Sequence, residues 1–169
     1  MRSVSFNAAM QKKYPEWIVL VATVDRDGTP DVMPAGWAMI ASHNPPMFAI
    51  AVGHTRYTHE LIRRQGEFVV AFPGPALGEA IEYTGSRSGR REKEKVRRAG
   101  LEVLEADVVA PPLLGGCSIN LECTLAGELE AGDHTIFLGQ VEAAHVDDEI
   151  ETHLVNFQGT FAPAVRADE

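Results

Sequence analysis

The segment "EWIVLVATVD" at residues 16–25 constrains the fold more than any other part of the sequence. Isoleucine and valine dominate this nearly uninterrupted apolar run, and the polar turn signal "RDG" follows it directly. β-branched residues in a run of this length favour a strand over a helix, and the lack of alternating polar residues puts apolar side chains on both of its faces. We therefore predict a strand that is buried on both faces.

More strands follow at short intervals. The segments at 31–42 and 47–53 have the same apolar character and are separated only by "HNPP". Strands joined by such short turns are antiparallel neighbours, because a parallel crossover needs a much longer connection. Three further strands are predicted over residues 67–72, 117–129 and 135–146, the last two joined by a hairpin at "GD".

Helices are predicted mainly in the middle of the chain. The clearest covers 58–66, where Thr58 is positioned to cap the amino-terminal end. Further helical patterns occur at 76–83 and 91–100. Together these elements predict a mainly β fold, a small closed antiparallel β-barrel with flanking helices, in a single domain that comprises residues 1–169.

Charge and hydropathy exclude several classes of partner. The chain has 24 acidic and 15 basic residues, so its formal charge of -9 repels nucleic acids and anionic lipid surfaces. No segment approaches the roughly 20 apolar residues that span a bilayer, and the amino terminus lacks the apolar core of a signal peptide. Cys117 and Cys123 are too far apart along one strand to pair, so we expect buried thiols and a reducing, cytoplasmic setting.

The segment "VGHTRYTHELI" at 52–62 concentrates polar groups at the start of a predicted helix. A metal site would need three or four converging ligands, and the five-residue spacing of His54 and His59 does not align them on a helix. A phosphate fits better, because Arg56 and neighbouring hydroxyl groups precede a helix end whose free N–H groups and dipole attract anions. A cap at Thr58 beside a solvated arginine explains the same residues, so this segment alone leaves both interpretations open.

Two other features could belong to a site. Trp37 stands between small residues in a predicted strand, which would let a planar ligand lie against ring and backbone, although core packing explains a single tryptophan equally well. The loop "TGSRSGR" at 84–90 could add cations to an anion site or simply form a polar loop. The sequence has no GxGxxG, Walker A or GxSxG pattern that would indicate a different nucleotide or hydrolase site.

In their order along the chain, the motifs resemble those of one known family. "IVLVAT", "DG.P", "W...S..PP", "RYT..LI", "GEFVV", "SGRREKEKVRRAGL", "INLEC" and "GDHTIFLG" follow one another over roughly residues 14–145. This succession resembles the flavin reductase-like, or flavoredoxin-type, family of FMN-binding split barrels. Each motif is weak alone, but the whole set in this order is specific. The resemblance implies an antiparallel FMN-binding split barrel.

The resemblance also implies flavin-binding residues in several parts of the chain. Near the phosphate and ribityl chain it places Arg56, Tyr57 and Thr58. Along the isoalloxazine ring it places Trp37, Ala38 and Ser42. In the helix after the "SG" loop it assigns a lysine, Lys95 or, in a different register, Lys93. An aromatic residue near the carboxyl terminus would close the flavin pocket, and this residue is Phe161.

Asp31 departs from the family pattern, which commonly has asparagine after the turn proline. An amide can donate a hydrogen bond to a flavin carbonyl, whereas an ionised carboxylate can only accept one. If Asp31 lies in the site, its charge opposes the anionic reduced flavin, which the charge of Lys95 would favour. We therefore expect Asp31→Asn to raise the midpoint potential of a bound flavin.

These inferences predict an FMN-binding oxidoreductase of flavin reductase type, with FAD as the other candidate cofactor. NAD(P)H would deliver hydride to the flavin, and electrons would pass to free flavin, an acceptor protein or a small molecule. The resemblance implies a homodimer with flavin sites at or near its interface. Two alternatives stay open: a flavin-binding electron carrier or sensor without NAD(P)H turnover, and a related split barrel that holds another planar ligand.

Overall fold

The computed structural model describes residues 1–165, so residues 166–169 of the predicted domain lie outside the described part. Its strands are Glu16–Trp17 (β1), Val19–Val24 (β2), Pro30–Ala35 (β3), Ala38–His43 (β4), Pro46–Gly53 (β5), Glu67–Pro73 (β6), Val103–Leu104 (β7), Leu113–Leu114 (β8), Cys117–Ala131 (β9), His134–Val146 (β10), Leu154–Phe157 (β11) and Thr160–Pro163 (β12). Its helices are Phe6–Met10 (α1), Tyr57–Gln65 (α2), Gly78–Ser86 (α3) and Lys95–Arg98 (α4), with a 3-10 turn at Pro75–Leu77. The prediction of a mainly β fold is confirmed.

Seven strands form the main sheet in the order β3-β2-β6-β9-β10-β5-β4, and all neighbouring strands are antiparallel, as predicted. The prediction of a closed barrel was wrong. β3 and β4 are the two edges of this sheet, and no ladder of hydrogen bonds joins them within residues 1–165. Only Gly36 and Trp37 connect these edges along the chain. Two residues cannot cross a flat seven-stranded sheet, so the sheet curls and brings one end of its edges together, as in a split barrel.

Apolar residues pack on both sides of the main sheet. Leu20 and Ala22 of β2 belong to one buried cluster, which includes Ile81 of α3. Val19 and Val21 alternate with them along the strand and belong to a second cluster on the opposite face. None of these β2 side chains is accessible to solvent. The prediction that this strand is buried on both faces is confirmed, because alternate residues of β2 pack into different core clusters.

The structure corrects several predicted element boundaries. The segment 31–42, predicted as one strand, is divided between β3 and β4, because the chain leaves one edge of the sheet and joins the other. At the break the carbonyl of Trp37 accepts a hydrogen bond from the N–H of Ala51 in β5. The strand predicted at 16–25 is interrupted between β1 and β2. The helix predicted at 91–100 is reduced to α4, since turns occupy much of the preceding segment.

Two observations bear on the predicted setting of the protein. Cys117 and Cys123 are buried free thiols, as predicted, and burial raises the pKa of each to about 12. Thiols with such a pKa hold their protons at neutral pH and are poor nucleophiles. Among the helices of residues 1–165, none is both long and apolar enough to cross a membrane.

Candidate functional site

Two adjoining clefts open where β3 faces the start of α2. The first, called the basic cleft, has a volume of about 430 Å³ and is lined by Asp31, Met33, Thr55, Arg56, Tyr57, Thr58, Thr84, Gly85, Ser86, Arg87, Ser88, Arg91, Glu92 and Lys95. The second, called the Trp37 cleft, has a volume of about 550 Å³ and is lined by Glu16, Met33, Pro34, Ala35, Gly36, Trp37, Ala51, Gly53, Arg56, Gly85, His134, Asn156 and Gly159. Arg56 belongs to both clefts, so a single ligand can extend from one to the other beside its guanidinium group.

The start of α2 forms one wall of the basic cleft. The N-cap residue is Arg56, with extended backbone dihedrals, and no side chain accepts a hydrogen bond from the helix end. The prediction that Thr58 caps this helix was therefore wrong. A helix that begins without a side-chain cap leaves N–H groups free for another acceptor, and its dipole favours an anion. None of the carboxylates in residues 1–165 forms an ion pair with Arg56, so its charge is also free for a ligand.

A buried ion pair lies at the floor of the basic cleft. The Nζ atom of Lys95 is 2.5 Å from Oδ1 of Asp31, and both residues are only 2% exposed. The hydroxyl of Thr58 donates to the other carboxylate oxygen, Oδ2, at 3.0 Å. Gly89 passes so close to Asp31 that a side chain there would collide with the carboxylate. The proton of the Thr58 hydroxyl is thus already used, which leaves the backbone N–H of this residue as its donor toward a phosphate.

The loop between α3 and α4 is fastened to α2 by charged side chains. Lys93 lies 2.5 Å from Oδ2 of Asp25 and 3.3 Å from the hydroxyl of Tyr57. Its hydrogen bond is the main cause of the lowered pKa of Asp25, and Asp25 in turn raises the pKa of Lys93. Arg90 pairs with Glu60 at 2.6 Å. These contacts hold the arginine- and serine-bearing loop against the start of α2, where it forms the outer wall of the basic cleft.

The Trp37 cleft has a flat aromatic surface. Trp37 is 53% exposed, and small residues, among them Gly36, line the cleft beside it. The imidazole ring of His134 lies 4.6 Å from the indole, centroid to centroid, at an interplanar angle of 39°. The prediction that Trp37 lies within a strand was wrong, because this residue stands in the break between β3 and β4. This exposed position favours contact with a planar ligand over core packing.

His134 is a lining residue that sequence reasoning missed. The hairpin turn at "GD" makes it the first residue of β10, opposite Gly53 of β5. Its Nδ1 atom is 2.7 Å from a carboxylate oxygen of Asp133, whose pKa this hydrogen bond lowers. The sequence signal that could have found His134 was the "GDH" segment, because a tight turn at "GD" makes the next residue the first of the following strand and so determines its orientation. Only the pairing of β10 with β5 brings this ring to Trp37.

Within residues 1–165, three of the predicted site residues line neither cleft. Ala38 packs against the second core cluster, and its carbonyl accepts a hydrogen bond from the indole of Trp17 at 2.8 Å. Ser42 lies toward the other end of β4, where its hydroxyl accepts a hydrogen bond from the N–H of Asn44. Phe161 in β12 packs against the first core cluster. The other six predicted residues line a cleft: Asp31, Trp37, Arg56, Tyr57, Thr58 and Lys95.

Comparison with known proteins identifies the family. Residues 10–164 match the family described as "Flavin reductase like domain". The chain belongs to this flavin reductase-like family. An uncharacterized protein of Archaeoglobus fulgidus is 38% identical over 142 residues, which are 83% of this chain and 77% of the relative. A flavin reductase (NADH) of Kitasatospora aureofaciens is 27% identical over 88% of this chain and 75% of its own length.

A solved structure shows the same fold. Flavoredoxin of Desulfovibrio vulgaris superimposes with a TM-score of 0.83 over 99% of this chain and 96% of the flavoredoxin, at 25% identity. The resemblance on sequence motifs to the flavoredoxin-type split barrel is therefore confirmed. The two chains therefore share one overall fold over nearly their whole lengths.

The residues of the two clefts fit a flavin nucleotide. Its phosphate needs cations and N–H donors, which Arg56 and the uncapped start of α2 supply. Its ring system needs a flat, largely apolar surface, which Trp37 and the adjacent glycine backbone supply. Because the clefts meet at Arg56, the two ends of the ligand are accommodated together.

Proposed function

We propose that this protein is a flavin-dependent oxidoreductase of flavin reductase type that takes hydride from NADH or NADPH. The observation that carries the proposal is the junction of the two clefts at Arg56, with the uncapped start of α2 on one side and the exposed ring of Trp37 on the other. Membership of the flavin reductase-like family supports the same function. When bound, the flavin supplies the redox chemistry, and the protein binds and orients it.

The residues of this chain have distinct tasks in the proposal. Arg56 and the N–H groups of Tyr57 and Thr58 hold the phosphate at the start of α2. Trp37 orients the ring system and excludes water from one of its faces. Lys95 sets the electrostatic potential below the clefts, but its charge is offset by the carboxylate of Asp31 at 2.5 Å. FMN, with FAD as the alternative, is the proposed cofactor.

The proposal includes a homodimer. Met39 and Ile40 of the edge strand β4 are each 57% exposed, although large apolar side chains on an open sheet edge are normally covered. A second copy packed on this edge would cover them. It would also place Ala38 and Ser42 next to an interface, as the resemblance implies. The protein is proposed to act as one domain of residues 1–169 in the cytoplasm, with free flavin, an acceptor protein or a small molecule as the electron acceptor.

The visible spectrum of purified protein tests the cofactor and the role of Arg56 together. Protein incubated with FMN and then desalted is expected to keep the absorption of oxidised flavin. Arg56→Ala is expected to weaken FMN binding by about ten-fold, because a charge-assisted phosphate contact is lost. Arg97→Ala is the matched control, since Arg97 lies on the exposed face of α4 and lines neither cleft. Wild-type protein that binds no FMN or FAD at millimolar concentration would contradict the proposal.

Steady-state oxidation of NADH and NADPH separates the reductase from its alternative. A flavin reductase oxidises one of the two nucleotides continuously when flavin and an electron acceptor such as dioxygen are supplied. A carrier or sensor binds flavin but gives no turnover above that of free flavin. Flavin binding without turnover would therefore replace the proposed enzyme by an electron carrier of the same fold.

A further inference from the structure

The Trp37 cleft contains one carboxylate. Among residues 1–165, Glu16 is the only acidic residue that lines this cleft, and Arg56 and His134 are its other ionisable residues. We propose that Glu16 makes the cleft select electron acceptors by charge, so that neutral and cationic acceptors are favoured over anionic ones. The inference rests on the proposed function, because the acceptor must reach a flavin whose ring system lies in this cleft.

The carboxylate of Glu16 lies against the backbone beside Trp37. A Cβ atom added to Gly36 would be only 2.8 Å from Oε1 of Glu16, so the absence of a side chain at this glycine lets the carboxylate approach. The side chain of Glu16 is 17% exposed and forms part of the cleft wall. A molecule that reaches a flavin ring packed on Trp37 therefore passes close to this carboxylate.

Hydrogen bonds hold the Glu16 side chain in this position. Strand pairing places Glu16 of β1 directly opposite Asn156 of β11, whose side-chain amide donates to Oε1 at 3.1 Å. The amide oxygen of Asn156 accepts a hydrogen bond of 2.7 Å from the N–H of Gly159, which fixes the orientation of the amide. A carboxylate that is already ordered acts on an approaching ion without first having to reorganise.

The charges that could offset Glu16 lie outside the cleft or have partners of their own. Lys13 forms an ion pair with Oε2 of Glu16 but does not line the cleft. Arg56 lines it, and in the proposed function the flavin phosphate neutralises its charge. His134 lies 2.7 Å from a carboxylate oxygen of Asp133, which does not line the cleft. An acceptor in the cleft is therefore nearer to the negative charge of Glu16 than to its counter-charge, and Coulomb energies fall with distance.

Electron acceptors of opposite charge test the proposal. Protein loaded with FMN is supplied with saturating NADH or NADPH and with either the trianion ferricyanide or the trication hexaammineruthenium(III). Each nicotinamide nucleotide that is oxidised gives up two electrons and one proton, so two acceptor ions are each reduced by one electron and the proton is released to solvent. The measured quantity is kcat/KM for the trication divided by kcat/KM for the trianion. Any loss of flavin occupancy cancels in this ratio.

Three variants separate the charge of Glu16 from its other properties. Glu16→Gln keeps the size of the side chain and an acceptor oxygen for Asn156 but removes the charge. We expect it to lower the ratio about ten-fold at low ionic strength, and we expect added salt to reduce this difference. Glu16→Asp keeps the charge and is expected to keep the ratio close to that of the wild type. Glu105→Gln is the matched control, because Glu105 is exposed, lines neither cleft and contributes the same charge to the protein.

Two results would overturn the proposal. A change of the ratio that is no larger in Glu16→Gln than in Glu105→Gln would mean that only the net charge of the protein matters. Equal losses in Glu16→Asp and Glu16→Gln would mean that the shape of the side chain, and not its charge, sets the ratio. If neither NADH nor NADPH is oxidised with any acceptor, the proposed function fails instead. The bound flavin is then photoreduced, and its rates of reoxidation by the two ions give the same ratio and decide the present inference separately.

Discussion

Two buried carboxylates on different strands of the main sheet are stabilised in different ways. Asp31 lies below the basic cleft and is held by side chains, the ammonium of Lys95 and the hydroxyl of Thr58. Glu122 in β9 is fully buried and accepts three backbone N–H groups, from residues 107–109, and a contact of 2.6 Å from Nε2 of His145. The first carboxylate is balanced by a charge, and the second mainly by backbone dipoles.

Glu122 has a structural role, whereas the Asp31–Lys95 pair can also influence a bound ligand. Burial alone would raise the pKa of Glu122, but the contacts with His145 and with the three N–H groups outweigh it and leave the pKa lowered. This carboxylate fastens the loop before β8 to the main sheet. The Asp31–Lys95 pair fastens α4 to β3, yet it also lies next to the ligand clefts. A change in its charge therefore alters the potential that a bound flavin experiences.

The surroundings of Glu122 also contain ligand atoms of metal-binding type. One atom each from Asp107, Glu122 and His145 lie within 4.8 Å of one another. Both oxygens of Glu122 already accept hydrogen bonds, so a cation would have to displace donors that hold the loop. We therefore assign this group to loop anchoring.

Removal of the Asp31 carboxylate should have the largest effect on stability. Asp31→Ala leaves the buried Lys95 without its counter-charge and is expected to lower the free energy of unfolding by about 3–5 kcal/mol. Urea denaturation at pH 7 measures the loss. The double variant Asp31→Leu with Lys95→Met should recover most of it, because apolar groups of similar volume can replace a buried ion pair. Equal losses in the single and double variants would mean that the pair is not what stabilises this region.

Substitution of Glu122 should give a smaller loss with a characteristic pH dependence. Glu122→Gln exchanges an acceptor oxygen for an amide donor and is expected to cost about 1–3 kcal/mol at pH 7. A lowered pKa in the folded state means that Glu122 stabilises the protein above the pKa of glutamate in an unfolded chain, about 4.3, and that this contribution is lost as the pH falls below it.

Unfolding curves measured between pH 7 and pH 3 check this sign. The wild type should lose stability over that range more steeply than Glu122→Gln, so the two curves converge in acid. Exposed Glu151 provides the control, since Glu151→Gln should leave both the stability and its pH dependence nearly unchanged. Parallel curves for the wild type and Glu122→Gln would show that the buried carboxylate does not titrate as proposed.

The smallest expected effect concerns the flavin itself. Asp31→Asn keeps an acceptor oxygen for Thr58 but leaves the charge of Lys95 unbalanced near the clefts, which favours the more negative reduced flavin. We expect its midpoint potential to rise by about 30 mV, which for a two-electron couple corresponds to a ten-fold change in the equilibrium constant. A spectroscopic redox titration measures the shift, and Glu122→Gln should show none. Identical potentials in Asp31→Asn and wild type would remove Asp31 from the flavin site.

Local sequence patterns predicted much of the fold. The β-branched run of β2, the short turns and the "GD" hairpin depend on neighbouring residues, and the structure retains all of them. The pattern at residues 91–100 predicted a helix ten residues long, but the structure keeps only α4. There the preceding turn is held by distant partners, such as Asp25 for Lys93. Local propensity was too weak to determine the conformation of that segment.

Local pattern predicted the candidate site only where its residues are consecutive, whereas Asp31, Trp37 and Lys95 were assigned through the family resemblance. Arg56, Tyr57 and Thr58 line one cleft because they share one helix start, so their proximity follows from the sequence. The partners of Asp31, the contact between the rings of His134 and Trp37, and the burial of Glu122 do not follow from the sequence. The alternation of apolar residues along β9 predicts that Glu122 lies on the face opposite Leu121 and Cys123. It does not predict that the loop at residues 107–109 covers this face.

The sequence by itself determined most of the strands, their antiparallel order of connection and the helix that follows Arg56, because periodicity, turn residues and helix ends act over a few neighbouring positions. The tertiary structure decided that β3 and β4 stay unpaired, so that the barrel is open between them, and that Lys95 neutralises Asp31. Those features depend on which distant segments meet when the sheet curls. A buried polar group is stabilised only by the partners it finds there.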